Sequence, residues 1–247
     1  MIKLGYSIGD NIPGLPLSEQ VKILSSIEKD AVEVGYVIAK RLKIKQNKET
    51  IDLLRSFNYV SVHAPALVSD NKDKTSREWI DYPSSHGEEI VEQILEIADL
   101  IDADTILFHP DLVEDFDWLS KKVGDRLAFE NMDDRKKFGK TVEDMEKVFE
   151  KVPNAKWVCD VNHIYTNDRT MKSSEEFHKA FADRLCHYHI SGYGDFHDCF
   201  YRSKEDIILT GIKDLSIPLI NEGIALREGE ISLRKEHDYI LTRLDRK

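Results

Sequence analysis

Residues 104–131, DTILFHPDLVEDFDWLSKKVGDRLAFEN, contain two short apolar runs separated by a longer mixed segment. The runs are DTILFH (104–109) and RLAFEN (126–131), and each has the length and composition of a buried parallel strand. Each run also carries a residue that can bind a metal ion near its end, His109 in the first and Glu130 in the second. The stretch therefore predicts two strands joined by a helix.

Six further runs extend this pattern in both directions: IKLGYSI (2–8), AVEVGY (31–36), YVSVHA (59–64), KWVCDV (156–161), LCHYHI (185–190) and IPLINEG (217–223). Amphipathic stretches with helical spacing separate them. Eight strand candidates, each followed by a helix candidate, predict an α/β fold, a single (β/α)₈ TIM barrel over residues 1–247. A doubly wound open sheet is the alternative that this pattern leaves open.

Local signals predict where some helices begin. Thr141 and Ser173 are expected N-cap residues, and Asp144 and Glu176 follow them at the capping-box position. The polar segment from Val68 to Ser85 predicts a long loop after the third strand.

The composition is typical of a soluble globular protein, with 41% hydrophobic and 33% charged residues in 247. No run approaches the roughly 20 apolar residues that span a bilayer, so we expect no membrane partner and a cytoplasmic location. The net charge of -11 argues against an extended basic surface for nucleic acid, although bound cations would offset it locally. Three cysteines without a CxxC pair predict reduced thiols: Cys159, Cys186 and Cys199.

Metal-binding residue types cluster at the carboxyl ends of six consecutive predicted strands and in the loops that follow: His63, His109, Glu130, Asp160, His163, His189, Asp195, His197 and Glu222. In a TIM barrel these ends meet at one rim, where active sites lie. Imidazole nitrogens and carboxylate oxygens suit divalent zinc, manganese and iron. Because several carboxylates close together repel one another, we expect divalent cations between them.

The other histidines receive different interpretations. His187 shares a strand face with His189 and competes with it as a ligand, but His189 is favoured because it lies nearer the strand end. His86, His178 and His237 fall on predicted helices or loops and are expected to face solvent.

Four further side chains are substrate candidates: Asn131, Arg135, Lys137 and Arg202. Asn131 has the opposite side-chain direction from Glu130 and is a candidate to orient a neighbour. The basic run at residues 135–137 could receive a phosphate or could form a solvated face. Tyr165 and Tyr193 could stack on a sugar or base or pack the rim.

Short motifs from residue 60 onward follow a known family order: VSVHAP, ILFHP, FEN, KKFGKTVED, VCDVNHIY, HISG, DFH and LINEG. At these residues the chain resembles the xylose isomerase-like TIM-barrel superfamily, and within it the endonuclease IV branch. That branch has a trinuclear zinc site.

The resemblance implies two or three divalent ions, with Zn²⁺ expected and Mn²⁺ or Mg²⁺ as alternatives. The first ion would be bound by His63, His109 and Glu130. The second would be bound by Glu130, Asp160, His189 and Glu222, with Glu130 bridging. The third would be bound by His163, Asp195 and His197.

Two enzyme functions follow from the resemblance. The first is metal-assisted phosphodiester hydrolysis at a sugar-phosphate or at damaged, abasic DNA. The second is isomerisation or epimerisation of a sugar or sugar phosphate with one ion, in which Glu130 and Glu222 would be both ligands and catalytic proton-transfer groups. Asp195 stands where several such isomerases have an arginine, and the large ligand set favours the hydrolase. A non-catalytic binding barrel is the third alternative.

Overall fold

Eight parallel strands close into a barrel in chain order, so that the first strand pairs with the last. The structure, a computed structural model, describes residues 2–9, 15–36, 39, 42, 47–68, 79–194 and 197–245. The strands are β1 Leu4–Gly9, β2 Ala31–Gly35, β3 Val60–His63, β4 Thr105–Phe108, β5 Leu127–Glu130, β6 Lys156–Asp160, β7 Leu185–Ile190 and β8 Leu219–Asn221. The predicted (β/α)₈ barrel is confirmed, and the open sheet is excluded because β1 and β8 are hydrogen-bonded.

Helices follow the strands on the outside of the barrel. They are α1 Leu17–Ser25, α2 Lys48–Leu54, α3 Ser85–Leu100, α4 Phe116–Val123, α5 Val142–Lys151, α6 Val161–Asn167, α7 Ser173–Phe181, α8 Phe200–Ser203 and α9 Glu230–Leu244. Short 3₁₀ turns connect several of them to the next strand. Within the described ranges no helix has both the length and the apolar character needed to cross a membrane.

Two predicted helix starts have different outcomes. Thr141 caps α5 as expected, because its side chain accepts a hydrogen bond from the amide of Asp144. The prediction for Ser173 was wrong, since Ser173 lies inside α7 and its side chain caps nothing. The carboxylate of Asp168 accepts from the Ser173 amide instead, at 2.9 Å. A side chain five residues upstream therefore satisfies the first free amide of α7.

The predicted loop after β3 is described only in part. Residues 69–78 lie outside the described ranges. The side chain of Ser84 caps α3 by accepting from the amide of Gly87 at 3.1 Å, so that α3 already begins at Ser85.

The barrel is closed by strands that are buried almost throughout. Gly5 pairs with Ala31 where β1 meets β2, and a Cβ at Gly5 would lie 2.1 Å from the Ala31 carbonyl oxygen. Only glycine permits that approach. All three cysteines are free thiols, as expected, with Cys159 and Cys199 buried.

Candidate metal centre

The strand ends bring six of the predicted ligands together at one rim of the barrel. They come from β3 to β8, and they are His63, His109, Glu130, Asp160, His189 and Glu222. They form two groups of donor atoms, and within each group the candidate ligand atoms all lie within 4.8 Å of one another. Convergence of side chains that are distant in sequence follows directly from the parallel barrel, because all eight carboxyl ends face the same way.

The first donor group contains two imidazoles and a carboxylate. The Nε2 atoms of His63 and His109 lie 3.2 Å apart. Glu130 Oε2 is 3.9 Å from the first and 3.4 Å from the second. Ligands around a tetrahedral zinc with Zn–N near 2.0 Å are separated by roughly 3.3 Å. These three atoms are therefore spaced as ligands of one divalent cation would be.

The second donor group shares Glu130 with the first. Glu130 Oε1 lies 2.7 Å from His189 Nδ1, and Glu222 Oε1 lies 3.6 Å from the same nitrogen. Asp160 completes the group. The two oxygens of Glu130 thus face different groups, Oε2 toward the histidines of β3 and β4 and Oε1 toward β7. A carboxylate placed in this way can bridge two cations.

Asp160 uses its two oxygens differently. Oδ1 caps α6 by accepting from the amide of His163 at 2.8 Å. Oδ2 is buried, lies 3.4 Å from His163 Nδ1, and has no hydrogen-bond partner among the described residues. The side chain of Asn131 holds the Asp160 backbone, since its amide accepts from Asp160 N at 3.0 Å and donates to Asp160 O at 2.9 Å. Asp160 therefore combines a helix cap with a buried oxygen that suits a cation.

Burial and neighbouring charges shift the pKa values of the carboxyl groups at this rim. Burial and the neighbouring charges of Glu130 and Asp160 raise the pKa of Glu222 to about 7, against the opposing effect of His189. Burial and Glu130 likewise raise the pKa of Asp160 well above its usual range. Burial alone would also raise the pKa of Glu130, but His189 holds it well below its usual range. Protons must therefore neutralise part of the cluster wherever cations do not.

The candidates for a third ion are only partly described. Asp195 lies outside the described residues. The rings of His163 and His197 lie 5.9 Å apart, and His163 Nδ1 is 2.9 Å from the carbonyl oxygen of Asn131. His197 Nδ1 is 3.1 Å from Ser191 Oγ and 3.6 Å from Glu222 Oε2. These two histidines border the second donor group, and a third ion stays a prediction.

The basic substrate candidates differ in their exposure and in their ion pairs. Arg135 is exposed and donates through Nε to Asp133 at 2.8 Å. Lys137 is exposed as well. Arg202 forms ion pairs with Asp198 and Glu228, so its charge is already neutralised.

The two rim tyrosines pack against an arginine. The guanidinium of Arg169 lies 4.3 Å from the ring centre of Tyr165 and 3.9 Å from that of Tyr193. The two rings also contact each other edge to face at 5.7 Å. This packing is the second of the two interpretations that the sequence left open for them.

One buried residue next to the centre was missed by the sequence interpretation. Glu33 lies in β2, is fully buried, and places Oε2 3.1 Å from His189 Nε2. Its signal was present, because a glutamate inside the apolar run AVEVGY must find a partner when it is buried. His187 lies below His189, with Nδ1 2.8 Å from the hydroxyl of Tyr59 and Nε2 3.6 Å from Glu33.

The predicted exposure of two other histidines was wrong. His178 is buried and hydrogen-bonded to the Tyr188 hydroxyl at 2.8 Å and the Ser174 carbonyl at 2.7 Å. His237 is half-buried and stacks on Tyr6. Only one face of each helix looks outward, and the inward face carries these imidazoles. His86 is exposed, as expected.

We compared the chain with known proteins by sequence and by structure. By sequence, the chain matches no protein-family model and no curated protein. By structure, it is similar to endonuclease IV from Thermus thermophilus, with a TM-score of 0.68 and 14% identity, covering 97% of this chain and 99% of that one. It is also similar to a putative xylose isomerase from Rhodospirillum rubrum, with a TM-score of 0.60 and 10% identity over 96% of each chain.

The chain has the fold of these proteins, a closed (β/α)₈ TIM barrel. The barrel fold that the resemblance of the sequence motifs implied is thereby confirmed. A 3-keto-D-glucoside 4-epimerase, YcjR from E. coli, shares this fold at a TM-score of 0.56 and 13% identity, covering 96% of this chain and 100% of that one. Solved structures similar to this chain thus include an endonuclease and a sugar epimerase.

Proposed function

We propose that this protein is a divalent-metal-dependent enzyme that hydrolyses a phosphodiester at a sugar-phosphate group, as endonuclease IV-like proteins would. The observation that carries the proposal is the position of Glu130, whose two oxygens face two separate donor groups. Two cations held side by side form the arrangement that phosphate-cleaving enzymes use to stabilise both the attacking and the leaving oxygen. Abasic DNA is one member of the substrate class.

The donor atoms fit such cations. The first group offers two imidazole nitrogens and one carboxylate oxygen, and the second offers one imidazole and three carboxylates. The buried Oδ2 of Asp160, which lacks a hydrogen-bond partner among the described residues, is satisfied if a cation lies in the second group. Bound there, divalent ions would lower the pKa of a water molecule and offset charge on the phosphoryl group. The imidazoles favour Zn²⁺, and Mg²⁺ is less suited because it prefers oxygen ligands.

Glu222 and Glu130 have distinct roles in this proposal. The Glu222 side chain is 17% exposed, against 1% for Glu130, and so it is the carboxylate of this pair that a substrate can reach. From that position its carboxylate would take a proton from the attacking water and return one to the leaving oxygen. Glu130 stays ionised beside His189 and holds the two donor groups at a fixed separation.

Two exposed basic side chains on the loop after β5 support an anionic substrate. Arg135 and Lys137 follow Glu130 by five and seven residues, and both project from a loop at the active rim. Arg135 is anchored through Asp133, whose Oδ2 lies 4.0 Å from His163 Nε2. A phosphate next to the metal centre would therefore meet a guanidinium that Asp133 already positions and partly neutralises.

The second candidate function is that of a sugar or sugar-phosphate isomerase or epimerase. The second donor group alone supplies the four residues that single-metal sugar isomerases would need, Glu130, Asp160, His189 and Glu222. In that case Glu222 and Glu130 would move protons between adjacent carbons of the substrate. The first donor group would then have no assigned task.

A His109→Ala variant separates the two functions, because His109 belongs to the first donor group alone. We expect the wild-type protein to bind at least two zinc ions by mass spectrometry and to cleave abasic-site DNA or a phosphodiester of a sugar. The variant should lose one ion and at least 100-fold in cleavage rate. His86→Ala is the matched control, since His86 is exposed, and it should change neither value.

The isomerase outcome has its own signature. One ion per chain, no cleavage, and solvent deuterium entering a ketose next to its carbonyl would overturn the hydrolase proposal. In that case His109→Ala would leave the exchange rate nearly unchanged.

A further inference from the structure

A polar layer lies inside the barrel directly below the metal centre. Its members are buried and project from three strands, Glu33 from β2, Ser61 from β3 and His187 from β7. Interiors of TIM barrels are usually filled by branched apolar side chains. A buried carboxylate in that position lowers stability unless charged or hydrogen-bonding partners compensate it. The partners of Glu33 therefore indicate what it does.

Glu33 contacts the side of His189 that faces away from the metal centre. His189 Nε2 is 3.1 Å from Glu33 Oε2, and the hydroxyl of Ser61 donates to the same oxygen at 3.0 Å. The other ring nitrogen, Nδ1, is the atom that faces Glu130 and Glu222. The two nitrogens of one imidazole are thus assigned to opposite neighbours.

A neutral imidazole carries one proton, and the nitrogen that binds a metal must be the other one. A carboxylate that accepts the N–H of a ligand histidine fixes both the ring orientation and the tautomer, and it makes the ligand nitrogen more basic. Because Glu33 can only accept when ionised, it selects the form of His189 with the proton on Nε2 and the lone pair on Nδ1.

We propose that Glu33 is a positioning residue that holds His189 with Nδ1 directed at the second donor group. This inference rests on the metal centre of the proposed function, and it adds a residue that binds neither metal nor substrate. Ser61 holds Glu33 in turn by donating to its Oε2 at 3.0 Å, and His187 Nε2 lies 3.6 Å from the same oxygen. Since Tyr59 fixes the far nitrogen of His187, the support extends from the rim toward the opposite end of the barrel.

A competing arrangement places a cation between Glu33, His187 and His189 themselves. Their candidate ligand atoms lie within 4.8 Å of one another. Glu33 Oε1 and His187 Nε2 also have no hydrogen-bond partner among the described residues. However, His189 would then have to give up both ring protons to serve cations on two sides. The positioning role needs only the neutral ring, and the zinc content of Glu33 variants distinguishes the two arrangements.

The test compares zinc affinity and zinc content in Glu33→Gln and Glu33→Ala, measured by chelator competition without any substrate. We expect Glu33→Ala to lower the affinity for one zinc ion by about 10- to 100-fold. Glu33→Gln keeps the shape and one acceptor oxygen, so it should restore part of the loss. The ion at His63 and His109 should keep its affinity in both variants. Glu28→Gln is the control for a partly buried carboxylate away from the metal centre, and it should leave both affinities unchanged.

A spectroscopic signature separates positioning from a merely structural role. Long-range ¹H–¹⁵N NMR of the zinc-loaded wild type should show His189 protonated at Nε2 and metal-bound at Nδ1. In folded Glu33→Ala, verified by circular dichroism, the His189 signals should show a mixture of both tautomers or an unbound ring.

Three results would overturn the inference. The first is unchanged zinc affinity in Glu33→Ala, and the second is loss of one whole ion while both rim ions stay bound, which would assign a cation to Glu33 itself. The third is the absence of any divalent ion from the wild type, which would remove the metal centre as well. If zinc binding responds to Glu33 but no phosphodiester is cleaved, the hydrolase proposal fails and the positioning role stands.

Discussion

Asp160 has two roles, because one carboxylate oxygen caps a helix and the other is available to a cation. One oxygen caps α6, and the other is buried without a hydrogen-bond partner among the described residues. Its backbone is held on both sides by the amide of Asn131, so the carboxylate has little freedom to turn toward another partner. The contribution of Asp160 to folding and its contribution to metal binding can therefore be measured apart.

Two substitutions at Asp160 separate its contribution to folding from its contribution to metal binding. Asparagine is as good an N-cap as aspartate, so Asp160→Asn should leave the metal-free protein within about 1 kcal/mol of the wild type in urea unfolding. It should nevertheless lose most zinc binding in the second donor group, because the carboxylate is gone. Asp160→Ala should lose both the metal and about 1 kcal/mol or more of stability. Equal zinc affinity in Asp160→Asn and wild type would remove Asp160 from the ligand set.

Glu28 predicts a pH dependence of stability away from the metal centre. It follows α1, and burial raises its pKa to about 8. Since this carboxyl holds its proton more tightly in the folded state, its ionisation destabilises the fold as the pH rises from about 4.5 toward 8.

Glu28→Gln cannot ionise and should therefore gain stability relative to the wild type across that range. We expect roughly no difference near pH 4 and an advantage of about 1–2 kcal/mol at pH 9, reduced by partial solvent exposure. Thermal unfolding at the two pH values measures it. A variant that gains most at low pH would contradict the assigned cause.

At the scale of elements, a buried glutamate of α9 links this helix to α8 and β8. Glu236 accepts hydrogen bonds from the amides of Phe200 and Tyr201 at the start of α8, at 2.8 and 2.9 Å. It also accepts from Asn221 in β8 at 3.0 Å. A side chain of α9 thus satisfies the first amides of α8 and fixes the last strand beside Glu222.

Glu236→Ala should destabilise the protein by about 2–4 kcal/mol, because it leaves buried donors without acceptors. Glu230→Ala on the same helix is the matched control. Glu230 is half exposed and pairs only with Arg234 among the described residues, so its loss should cost at most about 0.5 kcal/mol. Urea unfolding of both variants provides the comparison, and equal effects would show that Glu236 does not hold these elements together.

Strands and helices were predictable where buried positions repeat regularly along the chain. They were less predictable where a residue distant in sequence determines a side chain's contacts. All eight apolar runs became strands because parallel strands are covered on both faces. The cap of α7 was misassigned because Asp168 competes with Ser173 from outside the local pattern. Glu33 was read only as part of an apolar run, since its partner His189 lies 156 residues away in sequence. The position of residues at strand ends predicted which side chains meet in the two donor groups, but it did not predict Glu33 beneath them.

At the scale of the whole molecule, the two candidate donor groups come together only when the barrel is closed. Its two donor groups draw on six strands, and β8 reaches the others through its pairs with β1 and β7. A ligand that binds the folded state alone stabilises it in proportion to the logarithm of its concentration. Folding and metal binding should therefore be coupled across the chain.

Zinc added to chelator-treated protein should raise the melting temperature. At about 100 times the dissociation constant the gain is near 2.7 kcal/mol, which corresponds to about 5–10 °C for a chain of this size. Calorimetry should show one cooperative transition, as we expect if residues 1–247 form a single domain. Two separate transitions, of which only one responds to zinc, would contradict that expectation.

Anomalous diffraction at the zinc absorption edge, from crystals of the zinc-loaded protein, tests the shared carboxylate most directly. We predict two peaks on either side of the Glu130 side chain, one beside His63 and His109 and the other beside Asp160, His189 and Glu222. A single peak within the second donor group, or peaks that do not touch Glu130, would contradict a two-ion hydrolytic centre.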